Sequence, residues 1–168
     1  MCGMNIRDRI VELRRVPANT IRPSPLNWRT HSKEQGNALR GLLADVGFAG
    51  AILARVLDDG SLEAIDGHLR IETMGADEVP VLVTDLDEAE AKLVLATFDP
   101  IGAMAGTNKE TLDALLREVE TSNDSVIGLL AELAQDSGIV PVPDDNKPID
   151  EAAMMDTENE CPKCGFKW

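Results

Sequence analysis

The stretch from Ala51 to Gly75 constrains this chain more than any other. Ala51 to Leu57 is an apolar run interrupted by Arg55, followed by Asp58-Asp59-Gly60-Ser61 and then by Leu62 to Ile65. Asp-Gly between two short apolar runs predicts a β-hairpin, because such turns need positive φ and glycine adopts it without a Cβ penalty. The second strand runs straight into Asp66-Gly67-His68-Leu69-Arg70, and a helical pattern from about His68 to Met74 stops at Gly75. Strand, turn, strand, turn and helix within twenty-five residues predicts a sheet with helices packed on it. A glycine at a strand-to-helix junction also lets backbone N–H groups approach an anion. With His68 and Arg70 beside it, the turn reads as a pocket for a phosphate or a carboxylate. The same residues also fit a plain tight turn in which Arg70 pairs an acid such as Glu72 or Asp66.

The flanking sequence extends this pattern. Ile6, Ile10 and Leu13 are spaced for a short amphipathic helix over 4–14, which Val16-Pro17 would end. Ala18 to Pro23 reads as a short strand, and Pro25 opens a polar loop, Leu26-Asn27-Trp28-Arg29-Thr30-His31. Ser32 is a good N-cap for a helix reaching Val46 and stopped by Gly47. Val79 to Thr84 is a third core strand, and Asp85 or Asp87 caps a helix from Glu88 to Phe98 that Pro100 and Gly102 should break. Two further helices are expected over 109–120 and 125–135. Beyond Asp136 the prolines and acids make a linker without core residues. The organisation expected is an N-terminal helix over 1–15, a domain over 16–122, a helical extension over 123–136, an acidic linker over 137–158 and a tail over 159–168.

Charge is divided unevenly. Residues 1–40 carry eight Lys or Arg against three acids, whereas the rest carries eight against 27. The overall net charge of −14 opposes nucleic acid, so DNA binding would have to rest on the N-terminal segment. The alternative is a solvated helix face with arginines lining one anion pocket. Aromatic residues are 3% of the chain, with no Tyr, which argues against a base-stacking surface. No run is long enough to span a membrane, and the N-terminus lacks signal-peptide order, so a cytoplasmic protein is expected.

Cys161-Pro162-Lys163-Cys164-Gly165 has the spacing of a zinc knuckle but supplies two of the four ligands that Zn²⁺ requires. Cys2, His31 and His68 are the other strong donors and are scattered. A site shared across a homodimer, a two-ligand site and a motif without metal all fit these residues. The tail is also the natural place for a protein partner to dock.

The order of these motifs resembles the ParB/sulfiredoxin-like superfamily, and in particular the ParB N-terminal-like (ParB-like nuclease) domain of phage or mobile-element type. The resemblance spans about Val16 to Glu120. It rests on the loop Asn27-Trp28-Arg29-Thr30-His31-Ser32, the segment Ala38 to Phe48 followed by the strand from Ala51, and the turn Asp66-Gly67-His68-Leu69-Arg70. It implies an α/β (α+β) fold, a small mixed sheet with a hairpin and surrounding helices, followed by a helical extension. It also implies that Gly67, His68, Arg70, Asn27, Arg29, Thr30 and His31 bind a phosphate-bearing ligand such as CTP or ATP with Mg²⁺. His68 stands where sulfiredoxins carry a catalytic Cys, so repair of sulfinic acid is not expected. The second ParB arginine motif is replaced by Thr97-Phe98-Asp99-Pro100, in which Asp99 is a possible divalent-cation ligand. The expected role is nucleotide or phosphate binding in partition, DNA modification or packaging. A small kinase or nuclease using His68 and Asp66, and a non-catalytic interaction module, are the alternatives.

Overall fold

The computed structural model describes residues 6–139. Cys2, the knuckle Cys161 and Cys164, and all but the start of the acidic linker lie outside them. Five strands form one mixed sheet: β1 (Ile10–Pro17), β2 (Ile21–Arg22), β3 (Ile52–Val56), β4 (Leu62–Asp66) and β5 (Glu78–Thr84). Their order across the sheet is β1-β5-β3-β4-β2. The β3–β4 and β1–β5 pairs are antiparallel, and β3–β5 and β2–β4 are parallel. The helices are α1 (Lys33–Val46), α2 (His68–Met74), α3 (Glu88–Ala103), α4 (Lys109–Glu118) and α5 (Asp124–Asp136). This is the mixed α/β class that the hairpin pattern predicts.

The core follows from period-two burial. Ile52 and Ala54 of β3, Leu62 and Ala64 of β4, and Val79, Val81 and Val83 of β5 are all buried in one cluster. Ala18 and Ile21 complete it, and Val16, Ile71 and Met74 pack against it. The hairpin forms where Asp-Gly placed it, with Leu57 N–H donating to Ser61 and Gly60 at φ 80°. Helix ends match local chemistry. The Ser32 hydroxyl accepts from the Gln35 N–H, and Asp87 forms a capping box with Glu90.

Three expectations need correction. The helix expected over 4–14 is absent among the described residues, because Ile10–Pro17 is strand β1 paired with β5 from Ile10↔Thr84 to Pro17↔Glu78. β5 presents an open edge, and a stretch containing Ile10, Val11 and Val16 suits pairing with it better than an isolated short helix. The domain boundary at 15/16 therefore falls inside a strand. Of the strand expected over Ala18–Pro23, only Ile21–Arg22 is extended, after a 3-10 turn at Ala18–Thr20. Finally, α3 continues through Pro100 to Ala103. The bond that proline cannot donate would have gone to the carbonyl of Ala96, an exposed residue where water can serve.

The segment expected as a separate extension packs back on the domain. Asn123 caps α5 and lies directly against Gly41 of α1. No described helix is long and apolar enough to cross a membrane.

Candidate functional site

The sequence places two polar segments forty residues apart, and the fold brings them to one cavity. The β4–α2 turn exists because Gly67 adopts φ 94°, a left-handed conformation that costs other residues energy. A Cβ there would lie 3.0 Å from Ile52 Cγ1 and 3.3 Å from its Cα, so β3 approaches the turn as closely as a glycine permits. The Asp66 carboxylate accepts the Gly67 N–H at 2.7 Å, the ordinary role of an aspartate in a turn.

His68 follows at 6% exposure. The Ser24 N–H donates to its Nε2 at 3.2 Å, which places the ring proton on Nδ1 if the imidazole is neutral. Burial pushes its pKa below the ordinary value, opposed in part by the negative charges of Asp66 and Glu72. His68 thus ties the start of the Ser24–His31 segment to the turn.

The segment itself is folded by its own hydrogen bonds. The Arg29 N–H donates to Asn27 Oδ1 at 3.2 Å. Trp28 Nε1 donates to the Leu95 carbonyl of α3 at 3.3 Å. The Arg29 guanidinium lies 4.8 Å from the Trp28 ring centre and donates through Nε to Asp99 at 2.7 Å. His31 Nδ1 is 3.1 Å from Gln35 Oε1.

Between the turn, this loop, α1 and α3 lies a cavity of about 230 Å³. Asn27, Arg29, His31, Asp66, Gly67, His68, Arg70 and Asp99 all line it. Thr30 does not; it is exposed on the loop. Gln35 and Leu39 of α1, and Val94, Leu95 and Phe98 of α3, also line the cavity and were not singled out from the sequence. Leu39, Leu95 and Phe98 showed only helical periodicity in the sequence, and Gln35 only its place three residues after Ser32. Nothing in the sequence marked Ser24 as the partner of His68. The Arg70 side chain has no ion-pair or hydrogen-bond partner among the described residues, neither Asp66 nor Glu72.

The metal expectations meet a different geometry. Asp99 is engaged by Arg29, and an oxygen of Asp66 by the Gly67 N–H. Among the described residues no group of three or more His, Cys, Asp or Glu is placed to hold a metal ion.

The basic N-terminal segment is also changed by folding. Arg9 pairs with Asp85 and Glu90, Arg7 with Glu90, Arg14 with Glu12, and Arg22 with Asp59. Arg7, Arg9 and Arg22 are therefore paired with acids distant in sequence, and Arg14 with a near neighbour.

No protein-family model and no curated protein matches the sequence. Solved structures do match the fold. The chain is similar to the C-terminally truncated chromosome-partitioning protein ParB from Caulobacter crescentus complexed with CTP-gamma-S, with a TM-score of 0.52 at 20% identity, over 77% of this chain and 73% of that one. Sulfiredoxin from Arabidopsis thaliana aligns with a TM-score of 0.43 at 16% identity, over 51% of this chain and 98% of that one. The likeness to the ParB structure extends to the fold alone, a mixed α/β fold as the motif order implied.

Proposed function

We propose that this chain is a ParB-like protein whose cavity binds a nucleotide or another phosphate-bearing ligand in a DNA-related process. One observation carries the reading. The Asn27–His31 loop and the Gly67–Arg70 turn line a single cavity in which Arg70 has no acidic partner among the described residues. A half-buried arginine without a carboxylate is a ready bidentate clamp for phosphate. The similar ParB from Caulobacter crescentus was solved with a nucleotide analogue, which supports a nucleotide as the ligand class.

Binding is favoured over catalysis by His68. Its Nε2 already accepts from Ser24, so that nitrogen is not free to act as a base. Contact of the N-terminal segment with DNA falls to Arg15, Lys33 and Arg40, which have no acidic partner among the described residues.

Isothermal titration of the full chain with CTP and ATP, with and without Mg²⁺, tests the reading. The expected result is binding that Arg70→Ala weakens by roughly tenfold or more, the loss of a charge-assisted contact. No binding by the wild type, or equal binding by Arg70→Ala, overturns it.

A further inference from the structure

The cavity that admits Arg70 unopposed holds its other arginine closed. Arg29 donates to Asp99 at 2.7 Å across the cavity wall, and both side chains are nearly half exposed, so a solute can reach them. The pair joins the Asn27–His31 loop to α3, seventy residues on, beside the second tie from Trp28 to Leu95. Two arginines and two aspartates line the site, so their formal charges cancel. Asp66 is occupied by its own turn, which leaves Asp99 as the carboxylate an incoming anion meets at Arg29.

Resting on the phosphate-binding reading, we propose that Asp99 is the specificity-determining residue of this cavity, restricting it to phosphoryl ligands of low charge. Two effects follow from its position. Any anion that uses Arg29 must first displace the Asp99 carboxylate, a penalty common to all such ligands. Asp99 then remains near the bound anion and repels it in proportion to the ligand's charge. The first effect lowers affinity generally. The second discriminates, disfavouring a nucleoside triphosphate relative to the corresponding monophosphate. A site shaped this way rejects part of its competitors by repulsion rather than by added contacts.

The test compares wild type and Asp99→Asn, full chain, titrated with CTP and with CMP at low ionic strength and without divalent cations. Asparagine keeps an oxygen that can accept from Arg29 and removes the charge. The expected result is tighter binding by Asp99→Asn, roughly tenfold for CTP and roughly threefold for CMP, with the difference shrinking as salt is raised. Circular dichroism confirms that the variant is folded, and Asp99→Ala should move both affinities in the same direction. Trp28 fluorescence, read in a Trp168→Phe background, should change on binding as Arg29 beside its ring exchanges Asp99 for the ligand. Equal gains for the two nucleotides, or no gain, overturn the role of Asp99 while leaving the binding site intact. Failure of both wild type and Asp99→Asn to bind either nucleotide overturns the site itself.

Discussion

The two walls of the cavity are built by different physics. The turn wall is an outgrowth of the core: Gly67 sits against Ile52, Ile65 is buried, and His68 follows at once. The facing wall, the Asn27–His31 loop with α3, is held by polar contacts on half-exposed residues. These are Trp28 to Leu95, Arg29 to Asp99, and the Arg9 pairs with Asp85 and Glu90 at the start of α3. Ala91 is the one buried residue of α3, and Leu93, Phe98 and Ile101 are exposed. Close packing tolerates almost no displacement, whereas exposed ion pairs contribute little and exchange readily with water. One wall is therefore held by close packing, and the other by contacts that yield more easily.

The largest expected effect comes from disturbing the fixed wall. Gly67→Ala adds a Cβ at φ 94° against the Ile52 backbone at 3.3 Å, which only movement of β3 or of the turn can relieve. The left-handed conformation and the contact together should destabilise the protein by about 2 kcal/mol or more, measured by urea unfolding. A loss under about 0.5 kcal/mol would show that the turn is no more rigid than the opposite wall. Gly41→Ala probes the helical side. Its Cβ would lie 2.4 Å from Asn123 Oδ1, displacing the side chain that caps α5 through Ser125 and Val126. Losing the cap costs about 1 kcal/mol, and alanine within α1 gains a similar amount. Global stability should therefore change little, while hydrogen exchange of α5 amides speeds up and that of β3 to β5 does not. Equal acceleration in both would mean that α5 and the sheet open as one unit.

The same contrast explains what was legible in the sequence. The hairpin at Asp59-Gly60, the Ser32 cap and the Gly75 stop depend on neighbours a few residues away, so residue type alone foretold them, and for α3 it narrowed the cap to Asp85 or Asp87, of which Asp87 forms it. The turn at Asp66–Arg70 was legible for the same reason. β1 was not, because its conformation is imposed by the edge of β5 more than sixty residues later, and its apolar spacing also fits a helix. The polar ties of the adjustable wall were hidden too. Arg29 with Asp99 and Arg9 with Glu90 join residues 70 and 81 positions apart, and no local pattern announces such partners. For that reason the N-terminal charge looked available along the chain and is largely paired in the fold. Asp99, which the motif comparison suggested as a cation ligand, is paired with Arg29.

The smallest expected effect is on pH dependence, where the walls should separate. On the turn wall, burial lowers the pKa of His68 below its ordinary 6.5, and the hydrogen bond from Ser24 also favours the neutral ring. As pH falls below 6.5 the unfolded chain takes up a proton that the folded one resists, so stability present above 6.5 is lost as pH drops through the folded value. On the α3 wall, the side-chain hydrogen bonds from Arg9, then the Asp87 N–H, lower Glu90 from 4.5 to about 2. Its contribution is full above 4.5 and is lost between there and about 2. Asp59, Glu34 and Glu88 are also lowered and add to that acid window. Melting temperature followed from neutral pH to pH 2 should fall in two stages. His68→Gln should remove the first and Glu90→Gln should shrink the second, each leaving the other in place. A first stage that survives in His68→Gln would mean that the turn wall does not depend on a neutral imidazole, and that Ser24 is held by something other than its ring.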